Sequence, residues 1–324
     1  MQYTKKVENQ IKDYYKMVDD SVGTLTKHSR NLNSLYMQGK LKPVYHREEL
    51  VTTISKILLR KSKPNVLLTG VAGCGKTAIA EALAIAITET VLAWADADTT
   101  AKRLYDTAMK AYEEGMGDYP GEYIAPKKRA LTEYVVYDLS MNSLIGGTPY
   151  RGMFEERINK LLKECEGRKI ILFIDEIHQM NSLGKSGDEP ISLGQILKPA
   201  LARGDIIVIG ATTDEEAPLL LKDKALARRF TQVNVSELKG EGAKKTANGI
   251  FADYLKAHEI KADITLADTI LQMINYYLPK TTFPDNFINV VDETLAGARY
   301  DELEEVNLDH FKTTIGRMAG VIII

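Results

Sequence analysis

Only two of the 324 residues are cysteine, Cys74 and Cys165, which is too few for a disulfide framework and fits a reducing compartment. No uninterrupted apolar run reaches membrane-spanning length, and the opening MQYTKKVENQ lacks the apolar core of a signal peptide. A cytoplasmic protein with no membrane partner is the expectation. The five histidines, His28, His46, His178, His258 and His310, show no metal-ligand spacing with the cysteines. Charge of one sign is also missing: 42 Lys and Arg stand against 44 Asp and Glu, a net charge of −2. With no global positive field, the composition argues against a nucleic-acid partner. Neither internal repeats nor low-complexity tracts are visible.

What is present is an ordinary globular composition, 44% hydrophobic and 27% charged, in a chain long enough to bury a core without staples. Its length predicts about two domains. The charge is unevenly spread: residues 1–63 hold 13 Lys and Arg against 6 acids, and residues 236–324 hold 9 against 14. A basic head and acidic tail either attract each other between subunits or form solvated faces. Val7, Ile11, Tyr14, Val18 and Val22 recur at helical spacing, predicting a basic amphipathic helical tail over 1–31.

From Pro64 the pattern becomes short apolar strands separated by helix-length segments: Val66 to Thr69, Val135 to Leu139, Ile170 to Ile174, Ile206 to Ile209 and Gln232 to Val235. Such alternation implies an α/β fold with a five-stranded parallel sheet covered by helices. This body is expected over 32–235, with an insertion at about 90–134 rich in Tyr and Trp, helical over Thr100 to Gly115 and then a loop. After Val235 only helical patterns remain, the last capped by Asn307 and stopped by Gly320. They predict a small helical domain over 236–324.

The first strand runs into Gly70-Val71-Ala72-Gly73-Cys74-Gly75-Lys76-Thr77 and then the strong helix former AIAEALAIAI. This is G-x-x-x-x-G-K-T between a strand and a helix, the context in which the motif binds phosphate. Its glycines let backbone N–H groups curl around phosphate, and the helix N-terminus adds partial positive charge. Lys76 is placed to reach the β and γ phosphates, and the Thr77 hydroxyl to ligate Mg²⁺. The second half of the site is Ile170-Ile171-Leu172-Phe173-Ile174-Asp175-Glu176, a buried strand ending in two carboxylates at the ligand-binding edge of a parallel sheet. Asp175 suits Mg²⁺, partly through water, and Glu176 suits polarising the attacking water. His178 reads as a structural hydrogen-bond partner. ATP and Mg²⁺ are the expected cofactors.

With these blocks in hand, the sequence resembles the AAA+ ATPases, and within them the first ATPase module of Clp-type unfoldases and disaggregases. The resemblance runs from about Leu32 to the end, through LNSLYMQGKLKPVYHREEL, GVAGCGKTAIAEALA, YRGMFEERI, LFIDEIH, ILKPALARGDIIVIGATT and ALARRF. It implies a P-loop NTPase with a C-terminal helical lid, and roles that spacing alone does not give. Thr213, with Thr212 second, falls at the sensor that orients water near the γ phosphate. Arg228 and Arg229 fall at arginine fingers reaching a neighbouring subunit, which implies a ring, a homo-hexamer. Val44 and Tyr45 match adenine contacts, and Pro284-Asp285 the segment that closes over the nucleotide. Tyr150, with Arg151 and Gly152, falls at the pore loop that grips polypeptide, and Leu183 to Pro190 at a second pore-facing loop.

Several positions depart from the family pattern. Val71-Ala72 stand for Glu-Pro, His46 for a glycine, Pro149 for a lysine and Asn286 for a lysine. Cys74 replaces a small aliphatic, and a helix N-terminus favours its thiolate, so an oxidation-sensitive thiol is expected. The end FKTTIGRMAGVIII resembles the start of a linker to a second ATPase module, and with none following, direct peptidase docking is not expected. The resemblance implies an ATP-hydrolysing, ring-forming protein remodeller that moves polypeptide through a central pore. Two other readings stand beside it: a nucleic-acid-acting loader, suggested by the basic head, and a regulatory module joined to a dedicated protein partner, suggested by the segment at 90–134.

Overall fold

The computed structural model describes residues 3–116, 118–146, 151–181 and 193–323. The chain begins with helices α1 (Lys5–Ser21) and α2 (Gly23–His28), strand β1 (Ser29–Asn31), and helices α3 (Leu32–Met37) and α4 (Glu48–Leu58). Strand β2 (Asn65–Thr69) leads into α5 (Lys76–Glu113), followed by β3 (Val135–Leu139), α6 (Met141–Ile145), α7 (Arg151–Cys165) and β4 (Ile170–Ile174). A 3-10 turn over Ile177–Asn181 precedes α8 (Leu193–Arg203), β5 (Ile207–Thr212), α9 (Ala217–Leu221), α10 (Lys224–Ala227) and β6 (Phe230–Asn234). Four helices close the chain: α11 (Gly240–His258), α12 (Leu266–Tyr277), α13 (Asp285–Tyr300) and α14 (Leu308–Ala319).

The sheet order is β1-β3-β4-β5-β2-β6. Its five apolar strands are parallel, as their sequence pattern requires, and β2 and β4 are wholly buried. The expected five strands become six because β1 adds an antiparallel edge, pairing Ser29 with Leu139 and Asn31 with Tyr137. Three residues of sequence Ser-Arg-Asn carry no apolar alternation, so nothing in their composition marks a strand.

Residues 3–31 do not stand apart from the body as a tail. Val7, Ile11 and Tyr15 of α1 are buried in the same core as the sheet, and the Tyr15 hydroxyl meets Thr88 Oγ1 of α5 at 3.2 Å. Glu164 of α7 caps α2, accepting from the backbone of Thr24 and from that of Leu25 at 2.8 Å. The segment at 90–134 also differs from the expected insertion, since α5 runs unbroken for 38 residues and only its far end and the loop beyond form the extra length. By length and composition alone this helix could cross a membrane, although Glu81 and Glu89 interrupt its apolar run. Half of its most apolar window is buried, with Ile79, Leu83, Ile87 and Val91 in the core beneath the sheet.

The apolar core falls into two clusters, one from Val7 to Val235 and one from Ala243 to Ile315. In the second, Phe251, Phe287 and Phe311 are fully buried, and Phe251 packs edge-on against Phe311 at 5.7 Å between ring centroids. Asn307 caps α14 reciprocally with His310, and Gly320 ends the helix at a φ of 70°.

Candidate functional site

The loop Gly70 to Gly75 leaves the carboxyl end of β2 and turns into α5 with Gly75 as its left-handed N-cap, at a φ of 94°. Gly70 and Gly73 are required for closeness as well. A Cβ on Gly70 would stand 2.5 Å from the Val235 carbonyl oxygen, and one on Gly73 2.9 Å from Asp285 Cβ. Lys76 is buried, its Nζ donating to the carbonyls of Gly70 at 2.8 Å and Val71 at 3.0 Å, so the ammonium lies across the mouth of the loop. Arg47 holds the same loop from outside, donating to the carbonyls of Cys74 and Ser236, each at 2.9 Å. Cys74 corrects the expectation of a reactive thiol: it is fully buried, and burial pushes its thiol up despite nearby Lys76 and Arg47.

At the end of β4, two strands away, Asp175 Oδ2 accepts a hydrogen bond from Thr77 Oγ1 at 2.7 Å. The next residue, Glu176, has a φ of 50°, a left-handed backbone that a glutamate adopts only under local constraint. That turn separates the two carboxylates. Asp175 faces the phosphate loop, while Glu176 Oε2 lies 3.5 Å from His178 Nδ1. His178 is held by Thr212 Oγ1 at 2.9 Å, matching its expected structural role, and lies 3.4 Å from Glu216 Oε2. The 3-10 turn carrying it sits close to β5 because Gly210 has no side chain; a Cβ there would meet Ile177 Cδ1 at 2.4 Å.

Thr212 is fully buried at the end of β5, and the adjacent Thr213 hydroxyl donates to Glu216 Oε2 at 2.7 Å. That bond, with the Thr213 backbone contact and the charge of Lys76, holds the Glu216 carboxyl below its usual range against a desolvation that raises it. Glu216, missed in the sequence, is the N-cap residue of α9 and stands three residues after Thr213, to whose hydroxyl its backbone N–H donates at 3.3 Å.

Beside the loop lies a cavity of about 190 Å³ whose walls include Val44, Tyr45, Pro284, Cys74 and Gly75, so the structure brings these expected residues together. Tyr45 donates to Asp253 Oδ2 of α11 at 2.8 Å, and its ring sits where a Cβ on Gly249 would be 2.6 Å from Cζ. Asp253 and Glu81 also line the cavity, and burial pushes the Glu81 carboxyl up. Arg228 and Arg229 are exposed between α10 and β6, apart from the phosphate loop of their own chain. Gly152 is exposed in the first turn of α7, which Arg151 begins. Tyr150 and the segment Leu183 to Pro190 lie outside the described residues.

The donors present fit Mg²⁺, a hard cation that takes oxygen ligands, because the Thr77 hydroxyl and Asp175 carboxylate converge beside the loop.

Comparison with known proteins gives the same picture. A family model described as "ATPase family associated with various cellular activities (AAA)" matches residues 66–238, more than half of the chain. A chaperone protein ClpB of Mycoplasmoides gallisepticum is 36% identical over 276 residues, covering 84% of this chain and 34% of that protein. An ATP-dependent Clp protease ATP-binding subunit ClpL of Staphylococcus aureus is 34% identical over the same length, again covering 84% and 34%. Among solved structures, the S. cerevisiae Hsp104-ADP complex superimposes with a TM-score of 0.72 at 30% identity, covering 92% of this chain and 46% of that one. The S. cerevisiae Hsp104:casein complex in an extended conformation gives 0.71 at 31% identity, covering 92% and 45%. The chain thus spans about a third of the length of the curated relatives it matches. A phosphate loop on β2, an acidic pair on β4 and the match across the intervening body make this chain a member of the AAA ATPase family, as a Clp-type module.

Proposed function

We propose that the chain binds MgATP between the phosphate loop and the C-terminal helices, hydrolyses it, and acts in a homo-hexameric ring that remodels polypeptides. The observation that carries this reading is the 2.7 Å contact of Thr77 with Asp175, which joins the two halves of a phosphate site from strands separated by β5. In it, the chain up to about residue 235, with the N-terminal helices packed into its core, forms the nucleotide-binding body and 236–324 the lid. The backbone of Gly70 to Gly75 and the Lys76 ammonium bind the phosphates, while Thr77 and Asp175 hold Mg²⁺, which neutralises phosphate charge when bound. Val44, Tyr45 and Pro284 enclose the base.

Glu176 accepts from the attacking water and aligns it, since its carboxylate is turned away from the metal side by the backbone at that residue. Thr213, fixed by Glu216, supplies the neighbouring polar contact. Arg228 and Arg229 act in the next subunit's site, consistent with their exposure. Tyr150, with Arg151 and Gly152 at the start of α7, grips the polypeptide. Polypeptide engagement is supported by the likeness to Hsp104, whose structures include one with casein.

The test is Glu176→Gln. Turnover is expected to fall by at least about 10²-fold, the scale of a lost general base, while ATP affinity persists. With ATP present, that variant is expected to run as a hexamer and to retain polypeptide on affinity capture. Normal turnover would sink the assignment of Glu176, and a monomer with ATP bound would sink the ring.

A further inference from the structure

The cavity beside the phosphate loop contains one polar group that the protein itself leaves without a partner. Thr246, on α11, lines the cavity and is 4% exposed, and its Oγ1 has no hydrogen-bond partner. The other buried helical threonines among the described residues all bond back to the carbonyl four residues earlier. Thr88 reaches Ala84 at 2.9 Å, Thr294 reaches Val290 at 2.8 Å and Thr314 reaches His310 at 3.3 Å. Thr246 forgoes that bond. A buried unpaired hydroxyl is unfavourable on its own, so its presence in a cavity wall points to a ligand that completes it.

The shape and chemistry of the cavity define that ligand. Pro43, Val44, Tyr45, Ile250, Pro284 and Ile288 make an apolar slot suited to a flat ring, and Cys74 and Gly75, where the phosphate loop ends, also line it. Two cations also border it, but Arg47 is engaged on the carbonyls of Cys74 and Ser236 and the Lys42 ammonium lies over the Tyr254 ring, 4.0 Å from its centroid. That leaves the carboxylates of Glu81 and Asp253, and Asp253 already accepts from Tyr45. A carboxylate accepts hydrogen bonds, whereas a hydroxyl both donates and accepts. A ring edge bearing an amino group satisfies such a set, and one bearing a carbonyl oxygen adds another acceptor beside two carboxylates. A helical threonine populates two χ1 rotamers, so a rotation about that bond can turn the hydroxyl to the ring without moving the backbone of α11.

We propose that Thr246 is a specificity-determining residue of the nucleotide site, its hydroxyl accepting from the 6-amino group of adenine and favouring it over a 6-oxo purine. This inference rests on the nucleotide reading above. Thr246 is a recognition residue and takes no part in phosphate chemistry.

Calorimetric titration of the full chain with ADP and with inosine diphosphate, which differs at C6, separates the possibilities without turnover. The wild type is expected to favour ADP. Thr246→Val is expected to lose about five- to tenfold in ADP affinity, the scale of one hydrogen bond, with inosine diphosphate unchanged. Thr246→Ser is expected to keep the preference. Without nucleotide, Thr246→Val is expected to melt at or above the wild-type temperature, because valine removes an unpaired buried hydroxyl. An unchanged ADP to inosine diphosphate ratio in Thr246→Val, or a lower melting temperature of the nucleotide-free variant, overturns the proposal alone. A wild type that binds neither nucleotide overturns the nucleotide reading and this proposal with it.

Discussion

Two helical glycines separate close approach from simple flexibility. At Gly249 a Cβ would meet three atoms of the Tyr45 ring at 2.6 to 2.8 Å, whereas at Gly297 it meets nothing within 4 Å. Gly249→Ala is therefore expected to push the ring off α11, break the hydrogen bond to Asp253 and destabilise the protein by about 1–3 kcal/mol. Gly297→Ala is expected to stabilise by about 0.5–1 kcal/mol, as an alanine does in an exposed helix. Urea unfolding of both variants checks the pair. Legibility at this scale followed adjacency in the chain. Gly70 to Thr77 and Asp175-Glu176 stood out because each is a contiguous run, and the structure brings the two together through Thr77 and Asp175. Asp253 and Thr246 were not, because α11 reaches the cavity only through tertiary packing and neither residue carries a local pattern. Cys74 was misjudged because its position at a helix N-terminus suggested an exposed thiolate, while its burial decides the outcome.

Among elements, α2 shows how a short helix is held by a distant side chain. Val22, its N-cap, makes no side-chain capping bond, and Glu164 supplies the acceptor instead. Burial alone would push the Glu164 carboxyl up, but the backbone N–H groups of Leu25 and Thr24 outweigh it and hold the carboxyl below its usual range. A carboxyl depressed in the folded state contributes stability above its unfolded value, about 4.3, and loses it as pH falls through the folded value. Glu164→Gln is thus expected to cost about 1 kcal/mol near pH 7, with the difference from wild type shrinking below about pH 4. Melting both proteins across that range is the measurement. The five parallel strands were legible because burial on both faces leaves continuous apolar runs. The edge strand β1 was not, since its identity comes from pairing with β3 and from Asn33, whose side-chain oxygen accepts from Val136 N at 2.8 Å. Helix α1 was legible as amphipathic, but periodicity does not say which surface receives the apolar face.

For the whole molecule, the site is divided between parts that the chain brings together and parts it holds separately. Arg47 and Tyr45 tie the nucleotide cavity to Ser236 and Asp253, so the sheet body and the C-terminal helices share its walls. Arg228 and Arg229 stand outside it. If they complete a neighbour's site, the double variant Arg228→Ala/Arg229→Ala is expected to bind ATP normally and to turn over about 10³-fold more slowly. Mixing it with Lys76→Ala, which keeps both arginines, is expected to restore part of the ATPase activity, because each supplies what the other lacks. No recovery in the mixture would place the arginines in their own subunit's chemistry. The expectation of a ring came only from family likeness, since an Arg-Arg pair on a loop has the composition of any solvated surface.

Helix α5 begins at Lys76 in the phosphate loop and ends at Glu113, near exposed Leu104, Tyr112, Met116 and Tyr119. A continuous helix of that length is a stiff rod of about 55 Å, so a tilt of only about 5° at one end sweeps the other through about 5 Å. An angular change that leaves Lys76 nearly in place would thereby be a side-chain-sized displacement at an aromatic tip.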